Sequence, residues 1–311
     1  MQSKFREFLS KYGDSRIAIV THNKADVDSI SSAYALTKVL PKSVICTHEK
    51  MRVGAEMLAQ KLGIEVKDLG QYEKKDFDGV LTVDTAAYTL APEAKGWKIL
   101  GIIDHHRQDG KDMEAEFEII EEESPSAAEI VANLLDDIEK ETAFALCVGI
   151  IADGARFKSA RGKTFETLGR LMKIADADYK ELLKYAEPEP PMEAKIAMLT
   201  AMKRVEFVYA SGYVIATTEV GSNESDAASL IADAADVAFV GKWKDREQET
   251  RISARARKNV HVALNEVMGQ VGKELGGAGG GHPKAAGAAI KAHSQEVLQR
   301  CVDVFIRMAS Q

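Results

Sequence analysis

Four short apolar runs, each stopping at an aspartate or a histidine, constrain this chain more than any other feature. They read IAIVTH (17–22), VLTVD (80–84), ILGIIDHH (99–106) and LCVGIIAD (146–153). A continuous Val/Ile/Leu run fits a strand or helix buried on all sides, so its last residue is delivered to one edge of a layered core. Six side chains arrive there: His22, Asp26, Asp28, Asp84, His105 and Asp153. Four carboxylates and two imidazoles at one edge repel one another and titrate badly, and bound cations are the usual way such a cluster is tolerated. Mixed His and Asp ligands suit Mn²⁺, Mg²⁺ or Zn²⁺, and this many acids suggests two ions sharing a bridging carboxylate. The pattern points to metal-assisted phosphoester hydrolysis.

The first half alternates strand-like and helix-like segments: strand 16–21, helix 29–40, strand 43–47, helix 55–62, strands 80–83 and 98–103. Helices follow over 126–139, where Ser126 and Glu129 have capping-box spacing, over 142–152 and from 163. This alternation predicts a parallel sheet covered on both faces, with ligands outside the C-terminal strand ends. The proline cluster Glu187-Pro188-Glu189-Pro190-Pro191 breaks helices and marks a linker. The division expected is 1–186 and 187–311. Beyond the linker, strands 205–209 and 213–218 flank Ala210-Ser211-Gly212 as a hairpin. Helix 224–235, strands 237–243 and 249–256, helix 260–273, a glycine-rich loop, a last strand and a C-terminal helix complete the chain. The fold class is therefore α/β, an N-terminal parallel-sheet domain plus a smaller C-terminal α/β domain with a mixed sheet, and a cleft between them.

A length of 311 residues fits two domains. The net charge of −7 argues against gripping long nucleic acid by a general basic surface, because polyanion affinity comes from cationic contacts. Cys46, Cys147 and Cys301 are odd in number, far apart and set in apolar sequence, so they read as reduced thiols. The first 14 residues carry too many charges for a signal peptide, and no apolar stretch approaches the roughly 20 residues that span a bilayer. A cytoplasmic protein without a membrane partner is expected.

The odd spacing of Asp26 and Asp28 lets them point to different ions, although Asp28 or Ser29 could instead cap the following helix. Asp84 has a competing reading as a turn acid. In Asp104-His105-His106, an acid beside two histidines can hold one ring in the correct tautomer, while His106 stays free to meet a phosphate. Asp153 ends a helix, where the dipole disfavours an acid unless a cation is near. Gly279-Gly280-Gly281-His282 beside Pro283 and Lys284 offers backbone N–H groups to a phosphate or a terminal nucleotide, or is simply a flexible loop. Arg255 and Arg257 would share a side, one of them free to pair with a phosphate; a solvated strand face is the alternative. His48, His261, His293, Tyr72, Trp97, Trp243 and the charge run 114–123 read as structural or solvated positions.

With these residues laid out, the chain resembles the DHH phosphoesterase family over nearly its whole length. His22-x-x-x-Asp26-x-Asp28 is similar to the family's first motif, Asp84 to its second, Asp104-His105-His106 to the namesake third and Asp153 to its fourth. Gly279 to Gly287 resembles the glycine-rich signature of the DHH-associated C-terminal domain. The resemblance implies two divalent ions, Mn²⁺ first, with Mg²⁺ or Co²⁺ as alternatives. One would take His22, Asp26 and Asp84, and the other Asp28, Asp84, His105 and Asp153. His106 would contact the scissile phosphate with Asp104 behind it. Arg255, Gly280, Gly281 and His282 would hold the substrate's nucleotide end.

Two departures stand out. Members often carry serine and threonine where this chain has Ser126-Ala127-Ala128, and Ala278 interrupts the glycine run. Neither is expected to touch a proposed ligand. The compact length is similar to the nanoRNase and 3′-phosphoadenosine-5′-phosphate phosphatase branch. That likeness implies a Mn²⁺-dependent phosphodiesterase or exonuclease releasing nucleoside monophosphates from short oligonucleotides, with that bisphosphate or linear dinucleotides as further substrates. A RecJ-like exonuclease on longer single strands is the alternative. The glycine-His signature argues against an inorganic pyrophosphatase, and the intact ligand set against a nucleotide-binding regulator. The expected partner is a short oligonucleotide or nucleotide, and a homodimer is compatible with this reading.

Overall fold

The computed structural model describes residues 1–154 and 157–310. The chain divides into two compact units, Met1–Glu189 and Pro190–Gln311. In the first, α1 (Gln2–Tyr12) precedes β1 (Ile17–Val20), α2 (Val27–Thr37), β2 (Val44–Thr47), α3 (Val53–Leu62) and β3 (Val66–Asp68). Then come β4 (Gly79–Val83), β5 (Ile99–Asp104), β6 (Phe117–Ile120), α4 (Ala127–Leu134), α5 (Lys140–Asp153), α6 (Gly162–Ala175) and α7 (Tyr179–Ala186). The strands run parallel in the order β3-β2-β1-β4-β5-β6.

β1 shows why its sequence is apolar throughout. Ile17 and Ile19 enter the core on one sheet face, Ala18 and Val20 that on the other. β1 and β4 are hydrogen-bonded neighbours although β2 and β3 lie between them in sequence. Sheet growth reverses there, and the loops leaving the C-terminal ends of β1 and β4 part to open a crevice. Residues 22 and 84 stand on those two loops.

The charge run 114–123 turns its acids to the surface as a solvated face, with Glu114, Glu116, Glu122 and Glu123 exposed. It contains the edge strand β6, whose Phe117 and Ile119 are buried, with the Phe8 and Phe117 rings 5.5 Å apart. Each flanking acid has a partner: Glu116 pairs with Lys11 and Tyr12, and Glu118 with Lys111. Cys46, Cys147 and Cys301 are buried and unbonded, and burial pushes each thiol up to about 12.

α5 is buried along nearly its whole length and lies against α2. Gly149 permits that approach, since a Cβ there would sit 2.2 Å from Ser31 Oγ and 3.2 Å from Asp28 Oδ1.

The second unit contains α8 (Met192–Arg204), β7 (Glu206–Ala210), β8 (Tyr213–Glu219), α9 (Glu224–Ala232) and β9 (Val237–Lys244). β10 (Glu249–Ala256), α10 (Leu264–Leu275), β11 (Gly277–His282), β12 (Ala285–Ile290) and α11 (Ser294–Ala309) complete it. Its sheet, ordered β11-β12-β10-β9-β8-β7, is mixed, with β8 and β9 parallel and the other pairs antiparallel. The glycine stretch is therefore an edge strand and not a loop. Its glycines let α10 pack close, because a Cβ at Gly279 would fall 2.1 Å from the Met268 carbonyl oxygen. Among the described residues no helix is long and apolar enough to cross a membrane.

Two glycine substitutions separate these effects. Gly149→Ala forces α2 and α5 apart and should lower stability by about 1–3 kcal/mol. Gly169→Ala, in α6 with open space around it, should raise stability by about 0.5–1 kcal/mol through helix propensity. Chemical denaturation of both variants checks the opposed signs, and equal shifts would contradict the packing argument.

Candidate metal centre

All six side chains expected at the strand ends meet in the first unit. His22 follows β1, and its Nδ1–H donates to the Asn23 carbonyl at 2.7 Å. A carbonyl can only accept, so Nδ1 keeps its proton and Nε2 is the ring atom left to a cation. That Nε2 lies 3.6 Å from Asp26 Oδ2 and 3.5 Å from Asp84 Oδ2. His105 follows β5 and repeats the arrangement. Its Nδ1–H donates to the Ser124 carbonyl at 3.2 Å, and its Nε2 lies 3.3 Å from both Asp84 Oδ1 and Asp153 Oδ2. Backbone anchoring of one ring nitrogen is how ligating histidines are aimed.

Asp84 joins the two sets. Oδ2 faces the His22 set and Oδ1 the His105 set. Its backbone is left-handed, φ 63°, in a region where aspartate is among the few tolerated residues. Asp84 Oδ1 and His105 Nε2 are buried without a hydrogen-bond partner. Buried ligand atoms left without a hydrogen-bond partner fit a bound cation, so the donor set suits a divalent ion at each group. The ligand atoms of His22, Asp26 and Asp84 lie within 4.8 Å of one another, as do those of Asp28, His105 and Asp153.

Asp28 is held differently. Its carboxylate accepts the backbone N–H groups of Ala127 at 2.7 Å and Ala128 at 2.8 Å, at the start of α4. The Ser126-Ala127-Ala128 segment thus touches a proposed ligand after all, through backbone that side-chain identity does not reveal. The helix-capping alternative is also reassigned, since the cap of α2 is Asp26, whose Oδ1 accepts the Ser29 N–H at 3.2 Å while Oδ2 faces His22. Ser126 Oγ accepts the Glu129 N–H at 3.1 Å, but the Glu129 carboxylate turns to Arg161 at 3.2 Å. Arg161 also reaches Glu121 at 3.2 Å. It thereby braces the start of α4 from the segment beyond Asp153, a role its sequence context did not signal.

Asp104 Oδ1 accepts His106 Nδ1–H at 2.8 Å and the backbone N–H groups of His105 and His106 at 2.8 and 3.2 Å. The half-exposed His106 ring therefore keeps Nε2 free. A cavity of about 240 Å³ is lined by Asp26, Asp28, Asp153 and Arg52. A larger hollow of about 360 Å³ beside Lys61 and Lys140 contains none of the cluster, and its cations are paired with Glu181 and Asp176.

Burial alone would lower both imidazoles, but contacts with Asp26 and Asp84 lift His22 to about 10, and those with Asp84 and Asp28 lift His105 to about 10. Burial alone would raise Asp84, yet His105 and His22 hold it far below the usual carboxylate range. Burial pushes Asp153 up to about 6 and Asp28 well above its ordinary value, with Asp84 adding to both. The Asp104 hydrogen bond raises His106.

In the second unit, register places Arg255, Ala285 and His282 opposite one another on β10, β12 and β11, so Arg255 and His282 project from one sheet face. Gly280 is open on that face. Arg255 donates to Ser225 Oγ at 2.7 Å, whereas Arg257 lies past the strand end and donates to the Ala232 carbonyl at 3.2 Å. Lys284 is turned to the Val260 carbonyl. His48 has carboxylate neighbours in Asp68 and Glu93 at 3.6 and 3.3 Å, and the His293 ring stacks on Trp243.

Residues 16–150 match the DHH family N-terminal domain, and residues 213–311 match the DHHA1 domain. The chain belongs to the DHH family. DHH phosphoesterases depend on divalent metal, and this chain is one of them. The first match stops short of Asp153, whose place in the cluster rests on geometry. An uncharacterized protein of Methanocaldococcus jannaschii is 31% identical over 298 residues, covering 90% of this chain and 89% of that one. An exopolyphosphatase-related protein from Bacteroides fragilis shares the fold with a TM-score of 0.79 at 15% identity, covering 99% of this chain and 96% of that one. A pGpG-specific phosphodiesterase from Vibrio cholerae does so with a TM-score of 0.51 at 14% identity, covering 94% and 99%.

Without metal, His22 and His105 carry protons near neutral pH, and a cation can use Nε2 only once each proton leaves. Metal binding should therefore release at least two protons, one per imidazole, and tighten as pH rises. Calorimetry in two buffers of different ionisation enthalpy counts them. Binding without proton release would contradict the assignment.

Proposed function

We propose that this DHH protein is a Mn²⁺-dependent phosphodiesterase that releases nucleoside monophosphates from very short oligonucleotides. 3′-Phosphoadenosine-5′-phosphate and linear dinucleotides are further substrates in this reading. It rests chiefly on Asp84, whose two oxygens, buried themselves, face two separate His/Asp groups in one cluster. When bound, a pair of divalent ions would supply Lewis acidity and lower the pKa of water for phosphoester hydrolysis. His22, Asp26 and Asp84 would hold one ion, and Asp28, Asp84, His105 and Asp153 the other.

The remaining residues act on the substrate. His106 is kept protonated on Nδ1 by Asp104, and its outer Nε2–H donates to a phosphoryl oxygen as charge develops there. Asp104 fixes that ring and its charge. Arg255 and His282, in one row with Gly280 and Gly281 beside them, offer a cation and open backbone to a terminal nucleotide. A carboxylate-rich, thiolate-free donor set favours Mn²⁺ over softer-ligand metals. The net charge of −7 supports a short substrate, because affinity for a long strand comes from many cationic phosphate contacts.

A series of end-labelled oligonucleotides, from dinucleotide to two-dozen-nucleotide length, tests the substrate. The shortest should turn over fastest with Mn²⁺, whereas processive digestion of the longest would favour the RecJ-like alternative. Asp84→Ala should lower turnover by on the order of 1000-fold or more with the circular dichroism spectrum unchanged. Undiminished turnover in that variant would refute the shared carboxylate.

A further inference from the structure

Six large apolar side chains of the second unit face outward in one place. α8 packs through Ala194, Ala197 and Ala201, and turns Met192, Ile196, Leu199 and Met202 to its opposite side. Spaced four, three and three residues apart, these four form a stripe along the helix. Leu199 is 66% exposed, at a position where globular helices usually carry charge. α8 packs mainly against α9, which sits over β9 and β10. α8 also touches β8, the neighbour of β7, and its stripe is turned away from the alanine face that packs on this core.

β7 is the edge strand. Its register sets Phe207 opposite Ala216 and Tyr209 opposite Val214, and Ala216 and Val214 belong to the same small core as Ala201 of α8. Phe207 and Tyr209 therefore project on the α8 side of the edge, 70% and 75% exposed. Natural edge strands are guarded by lysine, proline or a bulge. β7, with sequence EFVYA, has none of these, and Glu206 at its end is its only charge.

We propose that this face pairs with a second copy of the chain. β7 runs antiparallel to its counterpart about a two-fold axis through Val208, and the two α8 stripes close over the join. An antiparallel strand edge is complementary to itself, so one patch serves both copies and two six-stranded sheets become one. The area fits as well. Taking roughly 150–250 Å² for a large side chain, six of them at these exposures present on the order of 800 Å², the share each partner contributes to a standard stable interface.

Sedimentation equilibrium of the full-length protein at tens of micromolar should give twice the mass of one chain. The double variant Leu199→Glu/Tyr209→Lys, altered only at exposed positions, should give the mass of one chain with an unchanged circular dichroism spectrum, and its melting temperature should lose the concentration dependence of the dimer. Val208→Cys offers a second reading that does not depend on disrupting the fold. Residues opposite one another in an antiparallel pair have Cα atoms about 4.5–5.5 Å apart, within disulfide reach. Mild oxidation should then yield a covalent dimer, while Gln270→Cys on α10 should not, and the buried native cysteines add no background. A wild-type protein that sediments as one chain overturns the proposal. So does a dimer whose mass is indifferent to the double variant and which Val208→Cys fails to cross-link.

Discussion

A carboxylate buried between two imidazole nitrogens, at 3.5 and 3.3 Å, is the constraint on which the first unit depends. Asp84 cannot relax away from either, because its backbone is held in the left-handed region and its N–H is bound to the Ile103 carbonyl at 2.8 Å. Nor can the imidazoles turn, since each Nδ1–H is committed to a backbone carbonyl. Charges gathered this tightly out of water are stable only with a cation or a proton among them. In the metal-free protein, protons on His22 and His105 take that place. The same arrangement that makes the empty cluster basic makes the filled one a divalent site.

The sheet exists to bring those groups together. Reversal of strand order at β1 and β4 opens the crevice, and parallel strands aim every C-terminal end into it. α5 then has to lie almost in contact with α2, which only glycine at 149 allows, so that Asp28 and Asp153 reach the same region. Two N–H groups of α4 hold Asp28, and Arg161 holds α4. Helix-start N–H groups stabilise the negative form of Asp28, while burial and Asp84 oppose it. The second unit carries a different chemistry, a row of Arg255 and His282 beside open glycine backbone.

Much of this was legible in the residues. Buried parallel strands need continuous apolar runs, so β1, β4 and β5 announced themselves, and the acids and histidines ending them marked the centre. Less was visible where side chains carry no signal. The cradle around Asp28 is backbone, and the role of Gly149 is the absence of a side chain. β6 hid because its charges are neutralised by Lys11 and Lys111, partners far away in sequence. The glycine run read as a loop because glycine is a poor strand former, yet here the closeness of α10 requires it. α8 escaped notice because its pattern is inverted, with alanines inside and large residues outside.

Anomalous diffraction at the manganese edge, from crystals grown with Mn²⁺, tests the central claim directly. Two peaks roughly 3.5–4 Å apart, with one Asp84 oxygen on each, are predicted. A single peak, or two peaks that do not share Asp84, would contradict it.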